Sequence, residues 1–596
     1  MNIKEMKVLK IGNDSYSIVD EQARGVNTIA DMRALTNLKS GNIIRTLGYY
    51  SPNDGGKGTY LIREKNESDV IDNGAIHEIT VELVAELIAP NGVVNVKQFG
   101  AIGDGQANDT QKLINAINYS ESLIINCDLG VTDTILINKK IKIEGQNHII
   151  NFVGNHSVDN NTNDNYSIFD IRSQCEILNL TVNGNCNYLP RTLNPNSTAG
   201  VSYYNSRWRC RNNFYIEAEN VLLKNVDSVY TRTGFLLFNA NNCSLINCSS
   251  HNTLADGVYI SGTSKNNKVI SHTVTNSQDD AYSCTGIGER DESLAPKNNI
   301  FSSSTAENCN GALVCLQGSL NCIAENLIGK NVSTTAFKVG NNYFYSTTNT
   351  TQGSQAVESD YTLAGIGKNS TINNCHATTK NLFPDGEITQ SYWCLSFENS
   401  KTENINIINS SVVRENTDNT CIMRINYTNK LNISNCKFEN YIHCIKWCEN
   451  VEIENNYFNL IDMTTFLECK NLLIANNIIY NQMKFIEQGF QTVHLSNCEK
   501  TKYIGNITDK SNDNPVNVDL TSYKTLMVTN FNDFETDIPF DYQIGFNVST
   551  AKLFNLKYNG VFEDLKGLSA SAFVNGQLVL KNNALYINKN GTLTQV

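Results

Sequence analysis

The stretch VNVKQFGAIGDGQANDTQKLINAI, Val94–Ile117, decides how the rest of the chain is read. A Gly-Asp-Gly turn precedes Asn108, Asp109 and Thr110, side chains of the kind that cap a helix N-terminus, and Leu113, Ile114 and Ile117 come after at helical spacing. A single short helix with one apolar face needs something to cover. A stack of parallel strands has open edges at both ends, which invite aggregation unless capped. The chain beyond this helix has the rhythm of such a stack.

From Ile124 almost to residue 510, short segments of alternating apolar residues close on Asn: ILNL around Asn179, LLKN at Asn225, SLIN at Asn247, TINN at Asn374, NIIN at Asn409, ISNC at Asn435, IENN at Asn455 and IANN at Asn476. Neighbouring copies lie about 20 to 26 residues apart, and longer gaps fit multiples of that period or inserted loops; this is the spacing of a β-solenoid coil. Asn at the same corner of successive coils can take a left-handed backbone and hydrogen-bond to the Asn above and below it. That accounts for a composition in which roughly one residue in seven is Asn while Pro is scarce. Before the solenoid, residues 31–92 read as a small module: a helical DMRALTNL, then strands NIIRTLGYY and TYLIREK around the turn cluster SPNDGGKG, Ser51–Gly58. After residue 510 the Asn rhythm fades into short strands with Asn-Gly turns, a separate β module over 511–596.

The bulk properties exclude several partners. A net charge of −12 argues against nucleic acid, which wants a basic face. No apolar run is long enough to span a bilayer, and the start MNIKEMKVLKIGND lacks the apolar core of a secretory signal, so no membrane insertion is expected. The 18 cysteines are scattered without the pairing or His spacing of a zinc site. They are expected to be reduced, buried small hydrophobes. Nothing calls for a cofactor or a metal.

Val94–Ile117 resembles the amino-terminal signature of the pectate-lyase-like right-handed parallel β-helix superfamily, which includes family 28 glycoside hydrolases and many phage tailspikes. YSIVDEQAR (Tyr16–Arg24) and TLGYYSPNDGGKGTYLI (Thr46–Ile62) resemble the virion-attachment and connector segments of tail proteins in phages of Gram-positive bacteria. The resemblance covers roughly residues 10–510. It implies an all-β chain whose centre, 93–510, is a right-handed single-stranded parallel β-helix that binds and depolymerises glycan. Residues 1–30 would be a virion-attachment segment, 31–92 a connector, and 511–596 a β module for assembly or carbohydrate binding. It also implies a homotrimer in the phage tail, contacting other tail or baseplate proteins and acting outside the cell on a bacterial surface polysaccharide.

Chemistry is expected where two segments align coil on coil. TLADGVYISG (Thr253–Gly262) and SQDDAYSCTG (Ser277–Gly286) set Asp256 against Asp280 at an offset of 24 residues, with Asp279 beside them. Carried on, the row reaches Asn310. Crowded carboxylates repel, which raises the proton affinity of one of them; a protonated acid beside an ionised base is what glycoside hydrolysis requires. By resemblance to the family 28 pattern, Asp256, Asp279 and Asp280 take the catalytic places, Asp280 as general acid and the other two activating water. The chain departs from that pattern in lacking the His of the next coil, where it has NGALVCLQG, and its only counterpart of a later basic element is Lys338 in AFKV. A galacturonan hydrolase is therefore not expected. Tyr259 and Tyr282 are candidates to stack on sugar rings, Asn310 and Lys338 to bind substrate, and Trp208 with Arg207 and Arg209, in a loop between Asn179 and Asn225, to meet an acidic polysaccharide. The alternatives are a fibre with the same fold that binds without cleaving and, behind it, a polysaccharide lyase.

Overall fold

Corner asparagines turn the chain. Each of the eight Asn that close the quoted segments has a left-handed backbone, with φ between 51° and 58°. A left-handed residue with a Cβ costs roughly 1–2 kcal/mol, and Asn lowers that cost through its own short polar side chain. Stacking offsets the remainder: Asn225 Nδ2 donates to Asn179 Oδ1 (2.8 Å) and Asn247 Nδ2 to Asn225 Oδ1 (2.7 Å). A second ladder climbs through Asn266, Asn298, Asn321, Asn369 and Asn404 at 2.8–3.2 Å. The closest rungs are 21 to 23 residues apart, and others in the same ladders are 32, 35, 46 and 48 apart.

The computed structural model describes residues 24–154, 167–186, 212–286, 292–332, 336–340, 366–380 and 401–510, the last with gaps at 416–421, 441, 462 and 483–490, together with individual strands within 8–17 and 524–595. The chain forms two compact units, one made of Met1–Tyr188, Ser206–Leu236 and Asn241–Thr253, the other of Leu189–Asn205, Leu237–Ala240 and Leu254–Val596. Both contain right-handed parallel β-helix, whose strands are hydrogen-bonded in register to the strand one coil away.

In the first unit a helix, Thr110–Tyr119, buries Leu113, Ala116 and Ile117 against the strands Ser122–Ile124 and Ile135–Ile137. Its start differs in detail from the sequence expectation. Asp109 does not cap the helix; its carboxylate accepts the Ile102 and Gly103 amides (2.8 and 2.9 Å) and so closes the Gly-Asp-Gly turn, while Asn108 Oδ1 accepts the Thr110 amide (3.1 Å). Gly103 has φ 68°, and a Cβ there would lie 2.4 Å from Cys127 Sγ. Ahead of the cap, a mixed sheet contains the antiparallel pair Ile43–Thr46 and Thr59–Glu64. The turn between them is organised by Asp54, whose carboxylate accepts four backbone amides, from Tyr49, Tyr50, Ser51 and Gly56.

In the second unit one interior row runs Val269, Phe301, Ala324, Ile372, Ile407, Ile433, Ile453, Ile474 and Tyr503, each opposite the next and all buried. The fifteen cysteines among the described residues are buried. Several directly follow a corner Asn, as in Asn247-Cys248, Asn374-Cys375 and Asn435-Cys436, where the next side chain turns inward; Leu180, Val226, Ser410, Asn456 and Asn477 fill the same position elsewhere. Parallel stacking continues past residue 510: Lys524–Thr529, Asn532–Thr536 and Ile544–Asn547 add to the same walls. Antiparallel hairpins follow over Leu578–Lys581, Ala584–Lys589 and Thr592–Gln595.

Candidate active site

The site belongs wholly to the second unit. One wall carries the strands Val258–Ser261, Tyr282–Cys284, Val314–Gln317 and Phe337–Gly340, paired in parallel in that order. Val258 lies opposite Tyr282, Tyr282 opposite Val314 and Val314 opposite Phe337, and all four side chains are buried. The alternate row, Tyr259, Ser283, Cys315 and Lys338, is thereby directed away from the core. The turns that lead into the first two strands bring the acids.

Asp256, Asp279 and Asp280 meet as the 24-residue offset requires: one carboxylate oxygen from each lies within 4.8 Å of the others. Asp280 is buried, and Asp256 and Asp279 are half-buried. Lys338 Nζ donates to Asp280 Oδ1 at 2.7 Å from 58 residues further along the chain, and the Ala312 amide donates to the same oxygen at 2.6 Å. Burial pulls the Lys338 ammonium towards the neutral form, but the Asp280 and Asp279 carboxylates outweigh it and hold the group well above the ordinary lysine value. Burial and the nearby Asp280 push the Cys315 thiol up, so it is no nucleophile. The three acids are the groups with which a cation could be held; Lys338 already places a positive charge among them.

Gly311 makes this packing possible. A Cβ on it would fall 2.3 Å from the Asp280 nitrogen and 2.4 Å from both the Asp279 carbonyl carbon and Asp280 Oδ1. Sequence reasoning reaches Asn310-Gly311 by carrying the register on, but gives Gly311 and the Ala312 amide no role at the acids. The Asn-Gly pair next to an Asp-Asp pair one coil below was the available signal.

The other candidates fall in different places. Tyr259 faces outward next to Asp256, half-buried, and burial, with the Asp256 charge adding to it and a Ser261 hydrogen bond opposing it, pushes its hydroxyl up to about 12. Tyr282 cannot stack on a sugar: its ring is fully buried and its hydroxyl donates to the His272 and Thr305 carbonyls (2.9 and 2.7 Å). Asn310 does not continue the Asp256–Asp280 row. The offset at this coil is 32 residues, which sets Ala312 against Asp280, and Asn310 instead donates from Nδ2 to Gln278 Oε1. Trp208, Arg207 and Arg209 lie outside the described residues.

No protein-family model matches the sequence, and no curated protein sequence matches it. Solved structures similar to the chain include the catalytic unit of a thermostable GH87 α-1,3-glucanase from Streptomyces thermodiastaticus (12% identity, 80% of this chain and 74% of that one, TM-score 0.38). The family 28 exopolygalacturonase of Yersinia enterocolitica is another (11% identity, 83% of each chain, TM-score 0.36). PfbA, a surface adhesin of Streptococcus pneumoniae, is a third (12% identity, 85% of this chain and 99% of that one, TM-score 0.33).

Proposed function

We propose that the chain is a phage tailspike that binds a bacterial surface polysaccharide, capsule or wall glycan, and hydrolyses it by carboxylate acid/base chemistry. The observation that carries the reading is the convergence of Asp256, Asp279 and Asp280 on one wall of a parallel β-helix with Lys338 against them. In the proposed reaction Asp280, ion-paired with Lys338 in the resting chain, is protonated in the fraction of molecules that react, and gives that proton to the leaving glycosidic oxygen as its bond to the anomeric carbon breaks. Because two donors occupy Oδ1, the proton leaves from Oδ2, and the Lys338 ammonium stabilises the carboxylate that remains. The half-exposed Asp256 and Asp279 take a proton from water as its oxygen bonds to the anomeric carbon. Tyr259 is placed to pack on a sugar next to Asp256.

The tail location, the homotrimer, contacts with other tail or baseplate proteins and action at the host cell surface belong to the same proposal. They rest on the resemblance of Tyr16–Arg24 and Thr46–Ile62 to attachment and connector segments. Sedimentation of the purified chain tests the trimer, and a monomer would count against it.

Cleavage is tested by incubating the protein with purified host capsule or wall polysaccharide and assaying new reducing ends. Wild type should release them, and Asp280→Asn should bind without releasing any. A second reading, adhesion without cleavage, draws on the ion pair that already engages Asp280; it prevails if wild type adheres and releases nothing. Ultraviolet-absorbing unsaturated ends would indicate elimination instead.

A further inference from the structure

One row of left-handed corners departs from the Asn rule. In the second unit Tyr427, Trp447, Glu468 and Asn497 occupy the same corner of successive coils, with φ of 51°, 55°, 53° and 52°, each of the first three donating its backbone amide to the coil above. A bulky aromatic in this conformation is an outlier that Asn would avoid. The two aromatic rings stack on each other, with centroids 4.7 Å apart and planes 12° from parallel, and both are only partly buried. On the far side of the indole is a cleft of about 510 Å³ lined by Trp447, Glu449, Glu468, Lys470, Asn497 and Glu499. Glu468 Oε2 accepts the Trp447 indole N–H (3.1 Å), which fixes the plane of the ring, and Lys470 lies 3.5 Å from Glu449.

The geometry points to a second carbohydrate subsite here, which takes an uncharged or amino-bearing sugar. An indole held flat at one end of a cleft is a platform for the apolar face of a pyranose. The lining supplies acceptors from three carboxylates and donors from Lys470 and Asn497, the mixture that vicinal hydroxyls need because each both donates and accepts. From Trp447 to Asn497 is two rungs, roughly 10 Å at the usual strand spacing, the length of about two sugar rings. With Lys446 Nζ 5.8 Å from the indole centroid and Lys470 against Glu449, three carboxylates face two ammonium groups, a net negative balance that disfavours uronates and other anionic sugars. The subsite uses none of the residues around Asp280 and stands whether or not that cluster cleaves.

The test is binding of the full chain to a glycan array bearing neutral, amino and uronic-acid oligosaccharides, compared with Trp447→Asn, which restores the ordinary corner residue, and Trp447→Phe, which keeps a ring. Wild type should bind at least one neutral or amino oligosaccharide. That signal should fall tenfold or more in Trp447→Asn, persist in large part in Trp447→Phe, and survive Asp280→Asn. Wild-type binding only to uronic-acid oligosaccharides, no binding to any neutral or amino one, or equal binding by wild type and a folded Trp447→Asn protein would overturn the inference.

Discussion

Replacing Lys338 by Met removes its ammonium from the carboxylate cluster and leaves Asp280 buried beside two other acids. The Nζ–Oδ1 separation is 2.7 Å, with 27% of the lysine side chain and 8% of the aspartate side chain exposed. For unit charges at that distance and an effective dielectric near 20, the attraction is roughly 6 kcal/mol. Desolvation offsets much of it, and the lysine retains some water. The expected net cost is therefore about 2–3 kcal/mol, below the ~3–5 kcal/mol typical of removing one partner from a fully buried pair. The sign with pH follows from the raised lysine value: the contribution is complete below the ordinary lysine pKa and is lost only as pH rises through the higher folded one. It is therefore fully present at neutrality. Urea unfolding of wild type, Lys338→Met, Asp280→Asn and the double variant gives the coupling directly. About 2 kcal/mol is expected, because Lys338→Met should cost little once Asp280 is neutral. Equal costs with and without the Asp280 charge would refute the reasoning.

Gly311→Ala should displace both Asp279 and Asp280, at about 1–3 kcal/mol for overpacking; loss of reducing-end release with retained polysaccharide binding is the readout, and full activity would contradict the packing described. Asn225→Ala loses both ladder bonds of a left-handed corner and should cost roughly 2–3 kcal/mol by urea midpoint. Asn225→Gly should cost less, since glycine tolerates the backbone. In the amino-terminal module, burial pushes His77 down to about 4, so the unfolded chain binds its proton first as pH falls. Stability should drop by about 3 kcal/mol between pH ~6.5 and ~4, a loss that urea melts of His77→Phe should not show.

The coils are legible in the sequence because a physical preference, the tolerance of Asn for left-handed backbone, is written directly into composition and spacing. The pairing of Asp256 with Asp280 is legible because no insertion separates them. One coil later the spacing suggests an offset of 30 residues. The true offset is 32, and the short strands around Asn310 hold no independent marker of register. Tyr282 belongs to the inner face rather than the outer one, and the signal for this was present. The offset that aligns Asp256 with Asp280 also aligns Tyr282 with Val258, an inward position. Lys338 can be picked out as a charge in an apolar strand, but not its partner, since 58 residues and two unequal coils lie between them. The Tyr427–Trp447 stack carries no signal at all, because it sits where the repeat calls for Asn.

The central claim is that glycan is cut where Asp256, Asp279 and Asp280 converge. The most direct measurement is a crystal structure of the Asp280→Asn protein soaked with oligosaccharide from the host polysaccharide. A glycosidic oxygen within about 3 Å of the side chain at position 280, with Asp256 and Asp279 facing the same anomeric carbon across a water, is the expected result. Sugar bound only elsewhere on the chain, or three acids that point apart, would contradict it.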